Sequence, residues 1–232
     1  MESEDLFKKR RERTANDLNR KKPTRQNPAK QSQLRILIVC EDSKSSAFYL
    51  EELIKELGLT AVKVEGQRCG SAPSSVLGFA EDQYVKSKKD GDAYDKVYCV
   101  FDRDRHESFD ETVQKISSLK PAQLFFATTT TPCFEFWLLL HFNYSAKAYR
   151  GTGNKSSCDN ANTDLRVDYP EYGKNQRQIY HQTKHKLADA IAHAKVLAVE
   201  NQKNDSTNPQ TNMHELVEYL QSLTKNEIPK IK

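Results

Sequence analysis

The stretch "LRILIVCED", residues 34–42, decides the architecture. Leu34 to Cys40 is a near-continuous aliphatic run broken only by Arg35. A strand with one wet face alternates apolar and polar residues. A strand covered on both faces reads as an unbroken run, as in a parallel sheet. The run ends abruptly in Glu41 and Asp42, so the acidic residues belong at the strand's carboxyl end.

Working outward, "SKSSAFYLEELIKELG" places Ala47, Leu50, Leu53, Ile54 and Leu57 at helical spacing and closes on Gly58. A short strand is expected at 60–64, a helix at 74–89, a buried strand at 96–102 and a helix at 107–119. A fourth strand is expected at 122–128, followed by a helix over "TPCFEFWLLLHF" with Pro132 in its first turn. Four alternations of strand and helix predict an α/β fold, with a mainly parallel four-stranded sheet flanked by helices. Residues 34–144 therefore form the α/β domain. Residues 145–232 follow as a polar loop and a C-terminal helical extension packing on that domain. Within them, 145–176 reads as a long loop, 177–201 as one long helix, and "TNMHELVEYLQSL" as a final amphipathic helix capped by Thr211.

The chain has 232 residues and a formal net charge of +4. Residues 1–33 carry ten Lys/Arg against five Asp/Glu, so the basic character belongs to this tail, read as a disordered arm. Such an arm either solubilises the chain or contacts nucleic-acid phosphates. No apolar run approaches the roughly 20 residues a membrane helix needs, and the N-terminus lacks the apolar core of a secretory signal. The five cysteines, an odd count with no CxxC, fit a reduced cytoplasm, with Cys40 and Cys99 read as free thiols inside apolar strands.

Ligands of open α/β sheets bind beyond the carboxyl ends of the strands. Two acidic motifs fall there: Glu41 with Asp42 after the first strand, and Asp102 with Asp104 after the third. In an extended chain, residues i and i+2 face the same way. Asp102 and Asp104 can thus converge with Glu41 on one small volume. Crowded carboxylates repel unless a cation lies among them. Oxygen ligands suit Mg²⁺ or Mn²⁺, with Glu41 as general base or acid and Lys44 near a substrate phosphate. The plain alternative is a charged turn that caps the next helix. Glu135 is either a helix-stabilising acid or a further metal ligand. Arg103 and Arg105 either pair with the aspartates or reach for phosphate. No GxxxxGK[ST] motif is present, so ATP hydrolysis would have to come from a partner.

At "ILIVCEDSKSSAFYLEEL", "VYCVFDRDRHESF", "TPCFEFWLLLHF" and "NPQTNMHELVEYL", the chain resembles the RloB family, which includes AbiLii-type abortive-infection proteins. That family is similar to Toprim domains. The resemblance implies a Toprim-like fold, with Glu41 as the Toprim glutamate and Asp102 and Asp104 as its metal-holding DxD. It implies a phosphate contact for Lys174, which follows Tyr172. It further implies a nuclease effector of anti-phage defence, with an AAA- or ABC-type ATPase partner and DNA or RNA, tRNA included, as substrate. A homo-oligomer is compatible with it. The family's first motif runs Glu-Gly-x-Lys-Thr-Glu. Asp42 and Ser46 depart from it, which keeps open a weakened module that binds without cutting. A phosphatase using Asp102 as nucleophile is the remaining alternative.

Overall fold

The computed structural model describes residues 33–66, 72–103 and 107–225. Residues 1–32 of the tail read at 1–33, together with Asp104 and Arg105, lie outside the described residues. The aliphatic run forms β1 (Ile36–Cys40), every residue of which is buried. Its side chains alternate between two cores. Ile36, Ile38 and Cys40 enter one, while Leu37 and Val39 enter the other. That double coverage is why the run carries no polar alternation.

The chain continues as α1 (Ser45–Leu57), β2 (Val62–Glu65), α2 (Pro73–Lys89), β3 (Lys96–Asp102), α3 (Phe109–Ser118) and β4 (Phe125–Thr131). Then come α4 (Phe134–Leu139), α5 (Ser157–Asp168), α6 (Ile179–Thr183), α7 (Leu187–Asn204), β5 (Gln210–Thr211) and α8 (Met213–Lys225). The sheet order is β2-β1-β3-β4-β5. The first four strands are parallel and β5 is antiparallel to β4.

This order sets the layers. The connection through α1 moves from β1 to β2 on one side. The connection through α2 crosses β1 to reach β3 on the other. Right-handed crossovers then put α1 and α2 on opposite faces, with α3 beside α2. The two cores agree: α2 and α3 cover Leu37, Val39, Val97 and Cys99, while α1, α4, α5, α7 and α8 cover the reverse face.

Several expectations are corrected. The sheet has five strands rather than four, because Gln210–Thr211 pairs with Thr131 and Thr130. The Asn212 side chain extends that pairing, accepting from Thr129 N (2.6 Å) and donating to Ala127 O (3.0 Å). An edge so short carries no periodicity to detect. β4 ends at Thr131, three residues later than expected, because Thr129 and Thr130 pair with Phe101 and Asp102. Pro132 precedes α4, and the extended Cys133 is its N-cap.

The polar segment 145–176 contains α5, started by a capping box in which Ser156 and Asp159 bond reciprocally. The expected helix at 177–201 is two helices joined by a 3₁₀ turn, Lys184–Lys186. Its start is set by a distant residue: the Glu52 carboxylate of α1 accepts from the backbone N–H groups of Gln178, Tyr180 and His181. Cys133 and Cys158 form a disulfide, which the expectation of a reduced chain without a CxxC motif did not include. Cys40 and Cys99 are buried and take no part in a disulfide. No helix among the described residues is long and apolar enough to cross a membrane.

Just past the end of α4, His141 is fully buried, with Tyr49 Oη 3.1 Å from its Nε2 and Trp137 O 3.1 Å from its Nδ1. The carbonyl can only accept, so Nδ1 carries the proton and Nε2 accepts from the phenol. Burial pushes the imidazole pKa down to about 4. The unfolded chain protonates near 6.5 while the native state does not, so this group's stabilisation is complete above that value and is lost as pH falls towards 4. The loss should be on the order of 3 kcal/mol. Urea denaturation across this range should show it in the wild type, and a His141→Leu variant should lack that component.

Candidate functional site

The strand order reverses direction at β1 and β3: the chain leaves β1 towards β2 on one side and returns to β3 on the other. This is the switch point of an open α/β sheet, where a crevice forms beyond the carboxyl ends. Glu41 and Asp102 both lie there. The Glu41 N–H donates to Val100 O (2.8 Å), and its carboxylate Oε2 accepts from the Asp102 N–H (2.9 Å). The two acids are thus pinned to adjacent strand ends by backbone bonds.

The Asp102 carboxylate points towards α4 and accepts from the Phe134 N–H (3.1 Å). Its pKa is raised well above the ordinary carboxylate value. Burial is the largest cause, followed by the charges of Glu135 and Glu41; the Phe134 bond opposes them, and Asp42 adds to the rise. An acid with three acidic neighbours and one donor is under-neutralised.

Glu135, one residue after Phe134, is 2% exposed. Tyr172 Oη donates to its Oε1 at 3.0 Å and also lies 3.1 Å from Ser45 Oγ. Lys174 Nζ is 3.5 Å from the same oxygen, and Cys158 Sγ is 3.5 Å from Oε2. The segment after α5 therefore folds back over the acidic crevice. Ser45, the first residue of α1, touches it through Tyr172.

The other candidates are placed as follows. Lys44 is exposed at the start of α1. Arg103 pairs with Asp110 (2.8 Å) and lies over the Phe109 ring, on the α3 side. It is not drawn in among the carboxylates. Asp42 turns into the first turn of α1, accepting from Ser46 Oγ (2.9 Å) and weakly from Lys44 N (3.4 Å). Asp42 and Ser46, the two departures from the family motif, therefore satisfy each other. Gly66, beyond β2, packs against the Asp42 carbonyl so closely that a Cβ there has no room.

Glu41, Asp102 and Glu135 supply oxygen donors of the kind that hard divalent cations take. The under-neutralised Asp102 fits such an ion, which would complete its shell with water. Among the described residues, the trio of potential ligands whose donor atoms all lie within 4.8 Å is a different one: Cys133, Glu135 and Cys158. Sequence reading missed both cysteines, because their pairing spans 25 residues with no local motif. Ser45 was missed too, since a serine opening a helix looks like any other.

A family model described as RloB-like protein matches residues 36–220. The chain belongs to the RloB-like family. The match runs from the start of β1 into α8, so in this RloB-like chain the crevice and the segment folded over it lie within the family's common region. No curated protein and no solved structure matched the sequence.

Proposed function

We propose that this RloB-like protein is a Mg²⁺- or Mn²⁺-dependent nuclease with a Toprim-like site, hydrolysing phosphodiester bonds of DNA or RNA. The observation that carries the reading is the part-buried, under-neutralised Asp102 beside Glu41 at the sheet's switch point. When bound, the cation polarises the scissile phosphate and lowers the pKa of a water ligand. Asp102 and Glu41 would hold it, together with Glu135 of α4 and, from the sequence motif, Asp104. Glu41 also accepts or returns the proton of the attacking water. Lys44 and Lys174, both with exposed side chains, and Arg105 meet substrate phosphates. Lys174, 3.5 Å from Glu135 Oε1 and exposed, would yield that contact to a bound cation.

Membership of the family supports the wider setting proposed here. That setting is defence against phage in the cytoplasm, with an AAA- or ABC-type ATPase supplying the nucleotide hydrolysis for which this chain has no motif. A second reading, a module that binds nucleic acid or its ATPase without cutting, is favoured by one observation: the position of the motif's second acid is Ser46, whose hydroxyl is spent on Asp42.

The two readings separate in one assay. Supercoiled DNA and total tRNA are incubated with Mn²⁺, with and without the ATPase, using wild type, Glu41→Gln and Asp102→Asn. Cleavage by wild type alone among the three supports the nuclease. Equal cleavage by all three removes the site assignment, and retained binding with no cleavage selects the second reading.

A further inference from the structure

We propose that Cys133, Cys158 and Glu135 form a redox-gated site for a thiophilic divalent cation of the zinc class. The three residues come from separate places: Cys133 is the N-cap of α4, Glu135 lies in its first turn, and Cys158 lies in the first turn of α5. The fold brings their donor atoms within 4.8 Å of one another. This inference does not depend on the nuclease reading.

The geometry fits tetrahedral coordination. Zinc takes sulfur at about 2.3 Å and carboxylate oxygen at about 2.0–2.2 Å, so a sulfur and an oxygen on one ion stand roughly 3.6 Å apart. Cys158 Sγ and Glu135 Oε2 are already 3.5 Å apart. The two sulfurs would need to stand roughly 3.8 Å apart. Side-chain rotation supplies that separation with the Cα atoms held at 5.6 Å. Three protein ligands leave one position for water, the pattern of an open zinc site.

A second feature marks the spot as one that takes a cation. Lys174 Nζ lies 3.5 Å from Glu135 Oε1 and 3.8 Å from Cys158 Sγ. Its side chain is 56% exposed, so it can swing out to solvent when a metal enters. Cys158 is itself partly exposed, which gives an entry path.

The disulfide closes the site, because its sulfurs are bonded to each other. A thiol reductant of the glutathione class opens it. Two reductant thiols give up two electrons and two protons, becoming a disulfide, while Cys133 and Cys158 become thiols. Binding of the divalent ion then displaces both thiol protons to solvent. Sulfur ligands discriminate against Mg²⁺ and Mn²⁺, so the site differs in kind from the all-oxygen crevice although it borrows Glu135. Occupancy therefore withdraws Glu135 from Asp102.

The test is a Co²⁺ titration of the full chain, reduced and oxidised, read by the sulfur-to-cobalt charge-transfer band. Reduced wild type should bind one Co²⁺ with that band, Zn²⁺ should displace it, and excess Mg²⁺ should not. The band should vanish in Cys158→Ser and in oxidised wild type, whose unchanged sequence guards against misfolding of the variant. No band in reduced wild type, or a band of equal strength in Cys158→Ser, overturns the site.

Discussion

Asp102→Asn is expected to abolish metal-dependent cleavage while making the metal-free protein more stable at neutral pH. The loss of cleavage should be at least ~10³-fold, since a bound ion supplies several kcal/mol of charge stabilisation. The gain in stability follows from the site's electrostatics. The Asp102 carboxyl is held well above 3.8 by burial and by Glu135 and Glu41. As pH rises past 3.8, the unfolded chain releases this proton first and the native state keeps it, so stability falls with rising pH until the native group ionises. Asparagine removes that penalty and keeps an oxygen to accept from the Phe134 N–H.

Thermal melts in EDTA should therefore show a higher Tm at neutral pH for Asp102→Asn than for wild type, and a flatter pH dependence. Mn²⁺ should reverse the order. A ligand at 100 times its Kd stabilises by about 2.7 kcal/mol, roughly 5–10 °C for a domain of this size. That rise should appear in the wild type and not in the variant. An equal Mn²⁺ response in both would place the cation elsewhere.

Phe136→Ala is expected to cost about 3–5 kcal/mol of folding free energy, a large share of the total for one domain. Phe136 is fully buried on α4, edge-on to Tyr149 at 5.9 Å. It joins the short helix that carries Glu135 to the polar stretch that leads into α5. Its removal leaves a cavity at the join between the sheet domain and the C-terminal helices. Val167, 77% exposed on α5, gives the contrast: Val167→Ala should fall within about 0.5 kcal/mol of wild type. Urea denaturation of the three proteins checks this. A Phe136→Ala cost below about 1 kcal/mol would show that α4 is not anchored as described.

How far the sequence reached depended on the range of each interaction. β1 and β3 were legible residue by residue, because burial on both faces leaves an uninterrupted apolar run whose ends are marked by charge. Their acidic exits follow from the same pattern, so the sequence alone marks Glu41 and Asp102 as candidates. The helices α1, α2 and α3 were legible from their 3.6-residue period, to within a residue or two.

The tertiary structure decided everything held by distant partners. The start of α6 depends on Glu52, more than 120 residues earlier, so the sequence alone reads one long helix there. β5 is two residues long and exists only because the edge of β4 is open to it. Tyr172 and Lys174 reach Glu135 across a polar segment that looks structureless until its capping box and disulfide are seen. Periodicity records which face of an element is buried. It does not record which other element does the burying, and that second fact places Glu135, Tyr172, Lys174 and the two cysteines around the carboxylates that the strand ends had already marked.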